Sequence, residues 1–214
     1  MKYWIFSVFT ALLAYGAGCL KSLVLASNFV FHKNLRRLGS GNALISNFRR
    51  IYGWKGAAKL LLVELALDLL PLAVGALLFK SGDHSDVGAA LAGFCLVLGR
   101  AFPLTYEFRG SFAILPLILM GFFVAPSIGI TLLLACGLIL WFGRYFSLSA
   151  LGGAALLMIT VLLMVDDVLT VRLSLFTAGL VLLRCLPSLV RILRKSEPRL
   201  SFERDINYKF DEKF

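Results

Sequence analysis

Charged residues are scarce in this 214-residue chain. Only 16% of its residues are charged, while 59% are hydrophobic, whereas soluble globular domains carry about 25% charged residues. So little charge excludes an ordinary soluble domain. The hydrophobic residues form repeated runs of about 20 residues, which is the length that a helix needs to cross the ~30 Å hydrocarbon core of a bilayer. The composition therefore predicts an all-α polytopic membrane protein.

Cysteine and histidine are also rare, with four and two residues respectively. The four cysteines lie far apart, in or beside apolar segments, with no CxxC pattern and no spacing that suits zinc. We therefore predict that they are small apolar packing residues: Cys19, Cys95, Cys136 and Cys185. No set of residues suggests a metal site, and we predict neither a metal nor a cofactor.

The apolar runs between charged and turn-forming residues predict the transmembrane helices. Seven candidate spans result, at 4–30, 60–79, 88–104, 112–124, 127–143, 147–165 and 168–184. The fourth span is short, and only Ala125-Pro126-Ser127 separates it from the fifth, so these two could form one broken pair and six crossings are the alternative. We expect one transmembrane domain over residues 1–197 and a polar cytoplasmic tail over 198–214.

The basic residues predict the orientation of the chain, because cytoplasmic loops are enriched in lysine and arginine. The formal net charge is +10. Most of the 22 Lys and Arg residues lie in four segments, 32–59, 100–109, Arg144 and 184–214, which seven crossings place on one side. We therefore predict an outside N-terminus and a cytoplasmic C-terminus. Because these cations lie between apolar runs rather than on a soluble face, we predict no binding of nucleic acid.

A long basic loop over residues 32–59 is the segment most suited to binding an anion. It contains Gly39-Ser40-Gly41-Asn42, followed by Asn47, Arg49 and Arg50. Glycines allow successive backbone N–H groups to converge on one point, and guanidinium groups add charge and paired donors, which is how proteins hold phosphate. The simpler alternative is a tight turn whose arginines bind lipid headgroups.

Several short motifs, in order along nearly the whole chain, resemble one known family. They are Gly39-Ser40-Gly41-Asn42 with Asn47, Arg50 and Gly53; Pro71; Gly99, Phe102-Pro103 and Phe108-Arg109-Gly110; Arg144-Tyr145-Phe146-Ser147-Leu148; and Glu197. The chain resembles the bacterial acyltransferases that move a fatty acyl group from acyl phosphate to glycerol 3-phosphate, the first acylation of phospholipid synthesis. The resemblance implies the fold of that family and a place in the bacterial plasma membrane.

The resemblance also implies the site residues and the substrates. It implies catalytic roles for Ser40, Asn47, Arg50 and Ser188, and binding of phosphate or substrate by Gly39, Gly41, Asn42, Arg109, Gly110, Ser111, Arg144 and Ser147. Its partners would be acyl phosphate, glycerol 3-phosphate and membrane lipids. Because acyl phosphate is already activated, no covalent nucleophile is implied, and positioning with electrostatic stabilisation would supply the rate.

The chain departs from the family pattern at several of these positions. Gly110-Ser111-Phe112-Ala113 stands where the family has G-G-K-G, Arg100 stands where it has histidine, and Cys185 and Ser188 replace a histidine and an asparagine. These changes remove a loop lysine and groups that handle protons. An alternative is therefore a catalytically impaired paralogue that binds lipid or a phosphorylated metabolite and acts as a partner protein.

Two carboxylates lie within the second predicted span, where the family's lysine is also missing. Glu64 and Asp68 are four residues apart and so share one helical face. An ionisable group inside a membrane is a candidate functional residue, and we expect one of the two to pair with Lys21 or Lys59. A small transporter is a third alternative that rests on these groups.

Overall fold

A computed structural model describes residues 2–20, 45–104, 110 and 113–194 of the protein. Within these residues the chain forms seven α-helices and a 3₁₀ turn at Lys80–Gly82. The helices are α1 (Lys2–Cys19), α2 (Ile45–Phe79), α3 (Ser85–Ala101), α4 (Ile114–Val124), α5 (Pro126–Gly143), α6 (Phe146–Met164) and α7 (Val168–Leu193). The predicted all-α class is confirmed.

The residues group into two units. The first contains residues 1–20 and 67–199, and the second contains residues 21–66 and 200–214. The first unit therefore holds α1, the second part of α2 and α3 to α7, while the described part of the second unit is the first part of α2.

Four helices are long and apolar enough to cross a bilayer. Their apolar parts are Ala58–Gly82, Pro126–Gly143, Phe146–Met164 and Val168–Ile192, and two shorter apolar helices lie at Tyr3–Cys19 and Ile114–Val124. This pattern supports a polytopic membrane protein. The count of seven crossings stays a prediction, as does the orientation of the two termini.

Most predicted helix limits agree with the structure to within three residues, and three differ by more, the first being the end of α1, at Cys19 rather than at 30. Helix α2 begins at Ile45 rather than at 60, and α7 continues to Leu193 rather than ending at 184. In both places the helix continues through basic residues, since lysine and arginine are good helix formers although they end an apolar run. The part of the first predicted span beyond Leu20 lies outside the described residues.

Helix α3 lies at the centre of the first unit. Most of its residues are buried, and it packs against α1, α4 and α7, while α4, α5, α6 and α7 also pack in succession along the chain. The shared core is aliphatic and includes Leu96, Leu117, Leu132 and Leu157, each fully buried. All four cysteines are buried thiols, in agreement with the predicted packing role.

Glycine allows α1 and α3 to approach each other closely. A Cβ added at Gly18 would overlap the carbonyl oxygen of Leu96 and lie 3.0 Å from the backbone nitrogen of Arg100. A Cβ at Gly99 would in turn overlap the carbonyl oxygen of Tyr15. In a bilayer, where apolar side chains gain little by leaving lipid, such close packing of small residues is a main source of helix association.

Acidic residues collect at one end of the first unit, which we call the acidic end: Asp83, Asp86, Asp166 and Asp167. Asp167 caps α7 by accepting the backbone N–H of Thr170 at 2.7 Å, and this bond holds the pKa of Asp167 below its usual value. The Thr170 hydroxyl donates to Asp86 at 3.2 Å, which joins the starts of α3 and α7.

We call the opposite end of the first unit the arginine end. The alternating direction of successive helices identifies the residues that lie there. Helices α3, α5 and α7 run from the acidic end to the arginine end, and α6 begins at the arginine end and returns to the acidic end. Among the described residues, the cations at the arginine end include Arg100, Arg144, Arg184 and Arg191. One end of the bundle therefore concentrates negative charge and the other concentrates positive charge.

Replacing Gly18 by alanine is expected to destabilise the protein, because the new methyl group meets the backbone of α3. Overpacking of this kind costs about 1–3 kcal/mol, which corresponds to a fall in Tm of roughly 2–10 °C at this size. Thermal unfolding in detergent measures it. Gly16→Ala is the control, since Gly16 is on the same helix with nothing within 4 Å of an added Cβ. Equal Tm values for the two variants would contradict the close approach.

Candidate active site

A buried ion pair joins α2 to the last turn of α3. The guanidinium Nη2 of Arg100 donates to Oδ1 of Asp68 at 2.5 Å. Asp68 is fully buried and Arg100 is 5% exposed. Charges this deeply buried are retained only when they are paired, because neither ion can be hydrated.

This pair corrects one expectation from the sequence and adds a contact that the sequence does not suggest. Asp68 pairs with Arg100, and the expected pairing of Glu64 or Asp68 with Lys21 or Lys59 stays a prediction. Arg100 was also counted among the loop cations that set orientation, yet it lies inside α3 with its charge balanced. The sequence does not identify this pair because it joins residues 32 positions apart, and a hydrophobic pattern does not say which helices are neighbours. Glu64 belongs to the second unit, and its proposed pairing stays a prediction.

Gly110 lies against the end of α3. A Cβ added to it would overlap the carbonyl oxygens of Arg100 and Ala101, so only glycine fits without a shift of the backbone. The carbonyl oxygen of Gly110 accepts a hydrogen bond of 2.7 Å from Nη2 of Arg184 on α7. The Gly110 peptide is therefore held between α3 and α7.

Phe102, the residue that follows α3, is hydrogen-bonded to α1. The Tyr15 hydroxyl of α1 donates to the carbonyl oxygen of Phe102 at 3.1 Å. The backbone N–H of Phe102 in turn donates to the carbonyl of Leu98 at 2.8 Å, which completes the last turn of α3. Neither this bond nor the bond from Arg184 was foreseen from the sequence.

Ser188 and its neighbour Arg191 form a polar pair on α7. Ser188 is 1% exposed, and its Oγ accepts a hydrogen bond of 2.6 Å from Nη2 of Arg191. Cys185, one turn earlier, is fully buried. Ser188, which stands where the family has asparagine, thus has a contact with a cation.

Arg144 and Ser147 lie at the turn between α5 and α6. Arg144 is exposed, and its backbone is left-handed, with φ of 56°. Ser147 lies in the first turn of α6 and is fully buried. Its Oγ finds no hydrogen-bond partner among the residues that the structure describes. A hydroxyl and a guanidinium therefore lie within three residues of each other in the sequence.

The structure thus brings together part of the predicted site. Gly110, Arg144, Ser147 and Ser188 all belong to the arginine end. Asn47 and Arg50 lie in the first part of α2, with side chains outside the described part. The other predicted site residues lie outside the described residues: Gly39, Ser40, Gly41, Asn42, Arg109 and Ser111.

Arginines and serines gathered at one end of an apolar helical bundle define a polytopic membrane protein whose site suits an anionic substrate. Comparison with known proteins makes this class specific. The family model for glycerol-3-phosphate acyltransferase matches residues 8–195. The chain therefore belongs to the glycerol-3-phosphate acyltransferase family.

Individual relatives cover nearly the full chain. A glycerol-3-phosphate acyltransferase of Thermoanaerobacter sp. (strain X514) is 24% identical over 201 residues, which is 94% of this chain and 99% of the relative. That of Methylococcus capsulatus is 30% identical over 198 residues, covering 89% and 94% of the two chains.

A solved structure shares the fold. The crystal structure of PlsY, an integral membrane glycerol 3-phosphate acyltransferase in its glycerol 3-phosphate form, aligns with a TM-score of 0.73 at 21% identity. The alignment covers 91% of this chain and 96% of that one. A lysophosphatidic acid form of PlsY aligns equally well, with a TM-score of 0.73 at 22% identity.

Asp68→Leu is expected to destabilise the protein strongly, because it leaves the charge of Arg100 buried without this partner. Breaking one side of a buried pair costs about 3–5 kcal/mol, or a Tm lower by roughly 10 °C. The double variant Asp68→Leu/Arg100→Met removes both charges and is expected to recover at least half of the loss. A single variant as stable as the wild type in detergent would refute the role of the pair.

Proposed function

We propose that this protein transfers the acyl group of an acyl phosphate to glycerol 3-phosphate and so forms lysophosphatidate for phospholipid synthesis. The observation that carries the proposal is the match of the family model over residues 8–195. The arginine end supports it, because three of the predicted substrate-binding residues, Gly110, Arg144 and Ser147, lie there together.

The charges at the arginine end suit the substrates. Acyl phosphate and glycerol 3-phosphate each bring a phosphate, so the site must gather at least two anions near each other. Arg144 and Arg191 contribute positive charge there, whereas the charge of Arg100 is balanced by Asp68. Arginine binds phosphate through several N–H groups in a fixed fork, which orients the anion as well as attracting it.

The reaction needs little covalent chemistry from the protein. The hydroxyl oxygen of glycerol 3-phosphate bonds to the acyl carbon, the bond from that carbon to the phosphate oxygen breaks, and inorganic phosphate leaves with the electron pair. The hydroxyl proton passes to the departing phosphate or to water. Positioning the two substrates and stabilising the negative charge that develops then account for the rate.

Roles for individual residues follow the family resemblance. Ser40, Asn47, Arg50 and Ser188 act at the reacting groups. The substrates are held by Gly39, Gly41, Asn42, Arg109, Gly110, Ser111, Arg144 and Ser147. The contact from Arg191 supports the role of Ser188, because a hydroxyl bonded to a cation is a better donor toward a negatively charged oxygen.

The membrane setting follows the same reasoning. We place the protein in the plasma membrane of a bacterium, with seven crossings, an outside N-terminus and a cytoplasmic C-terminus. The arginine end then faces the cytoplasm, where the positive-inside rule puts cations and where both soluble glycerol 3-phosphate and membrane-bound acyl phosphate have access. We keep residues 1–197 as the acyltransferase domain and 198–214 as a polar tail.

The impaired paralogue is the less favoured function, because the relatives that cover the whole chain carry the name of the enzyme. Its motive is the set of changed positions: Gly110-Ser111-Phe112-Ala113, Arg100, Cys185 and Ser188. Turnover by the purified protein separates the two functions directly.

Purified protein in detergent is expected to form lysophosphatidate from palmitoyl phosphate and glycerol 3-phosphate. Arg50→Ala is expected to lower this activity by about 100-fold or more, the usual effect of removing a group that stabilises charge in the transition state. Arg172→Ala is the matched control, since Arg172 is an exposed arginine near the acidic end of α7, and it should keep wild-type turnover.

A specific result of this assay would contradict the proposed activity. A folded wild-type protein that binds glycerol 3-phosphate without forming product would favour the paralogue. Growth of a strain that lacks its own acyl-phosphate acyltransferase, when this chain is expressed in the membrane, provides an independent check on the activity.

A further inference from the structure

The peptide of Gly110 is held from two sides by groups that the proposed reaction does not otherwise use. Its Cα packs on the last carbonyls of α3, those of Arg100 and Ala101. Its carbonyl oxygen accepts the 2.7 Å bond from Arg184. These two contacts fix both the place of Gly110 and the direction of its carbonyl group.

Arg184 contributes positive charge beside Gly110 and the end of α3. The last carbonyls of α3 carry the negative end of the helix dipole, which opposes binding of an anion nearby. Arg100 does not offset this field, because Asp68 balances its charge. Arg184 is partly buried and has no carboxylate partner among the described residues. Within the part of the chain that the structure describes, the charge of Arg184 therefore faces the Gly110 carbonyl and the end of α3.

The hydrogen bond to the Gly110 oxygen restricts the position of the Arg184 side chain. Its Nη2 is directed at the Gly110 oxygen, and its buried Nε has no hydrogen-bond partner within the described part of the chain. The side chain crosses from α7 to a backbone oxygen 74 positions away in the sequence. A guanidinium used in this way acts on a substrate through the backbone that it holds.

We propose that Arg184 is a positioning residue for glycerol 3-phosphate, and that it acts by holding the Gly110 peptide in place for substrate binding. The inference rests on the proposed function and adds to it a residue that the family motifs do not assign. Glycerol 3-phosphate depends on such a site more than acyl phosphate does. It binds through charge and hydrogen bonds alone, whereas the acyl chain of the other substrate also gains about 0.8 kcal/mol for each buried CH₂.

Replacing Arg184 by methionine, which has an apolar unbranched side chain, is the first test. We expect the KM for glycerol 3-phosphate to rise about tenfold, as for loss of a hydrogen bond to a charged group. The KM for palmitoyl phosphate should change less than about twofold, and the Tm should move by no more than about 4 °C. Arg184→Lys keeps the charge and a donor, and is expected to restore most of the affinity.

The matched control is Arg172→Met, which removes a cation from the same helix near the acidic end and should leave both KM values unchanged. A merely structural role for Arg184 predicts a different pattern, with both KM values raised together, a large fall in Tm and no rescue by lysine. That pattern would overturn the proposal.

A double-mutant cycle tests whether Arg184 acts through Gly110. Gly110→Ala shifts the same peptide by placing a methyl group against the carbonyls of α3. If the two residues act together, the KM for glycerol 3-phosphate of the double variant should be no more than about twice that of the worse single variant. A double variant whose loss equals the product of the two single losses would show independent action and refute the inference.

Binding measurements separate this inference from the proposed function. Equilibrium binding of glycerol 3-phosphate to the purified full chain needs no turnover. An inactive wild type whose binding weakens about tenfold in Arg184→Met would end the proposed activity and keep the positioning role. An active wild type whose binding and KM are unaffected by Arg184→Met would end the positioning role alone.

Discussion

The Asp68–Arg100 ion pair joins two helices inside a protein whose surroundings are lipid, where water stabilises neither charge. Each buried charge is therefore stable only while the other is present, and the pair holds α2 and α3 together where Asp68 meets Arg100. The last turn of α3 then serves as a base for the arginine end. Phe102 is tied from it to Tyr15, and Gly110 rests on its final carbonyls. The ion pair thus anchors the helix end against which Phe102 and Gly110 are placed.

Close packing of backbones provides the second constraint. Helix α3 is buried along most of its length, and it reaches its neighbours through glycine at Gly18 and Gly99, with a similar approach between Gly75 and Gly88. Leucine side chains have a similar free energy in lipid and in a protein core, so their burial contributes little to helix association. Close contact of small residues supplies dispersion energy that lipid cannot replace, and it allows a polar side chain such as Tyr15 to span the short remaining distance.

The sequence predicted helices better than it predicted their partners. The limits of α5 and α6 were correct to within one residue, because Pro126 and the Arg144-Tyr145 pair interrupt the apolar pattern sharply. The limits of α2 and α7 were wrong where basic residues continue the helix. Family motifs predicted Gly110, Ser147 and Ser188 as site residues, and the structure places all three at one end, while their roles stay a prediction. The bonds of Arg100 and Arg184 could not be foreseen, because they connect residues 32 and 74 positions apart and depend on which helices are adjacent.

Arg144 has a consequence for how the site is maintained. Its left-handed backbone closes α5, at a position that glycine or asparagine usually fills. For an L-residue with a Cβ, this conformation costs about 1 kcal/mol. The chain therefore accepts conformational strain in order to present a guanidinium directly before α6. Substitution by glycine at this point would relax the backbone while removing the cation, so under the binding role that we propose for Arg144, stability and function make opposite demands on a single residue.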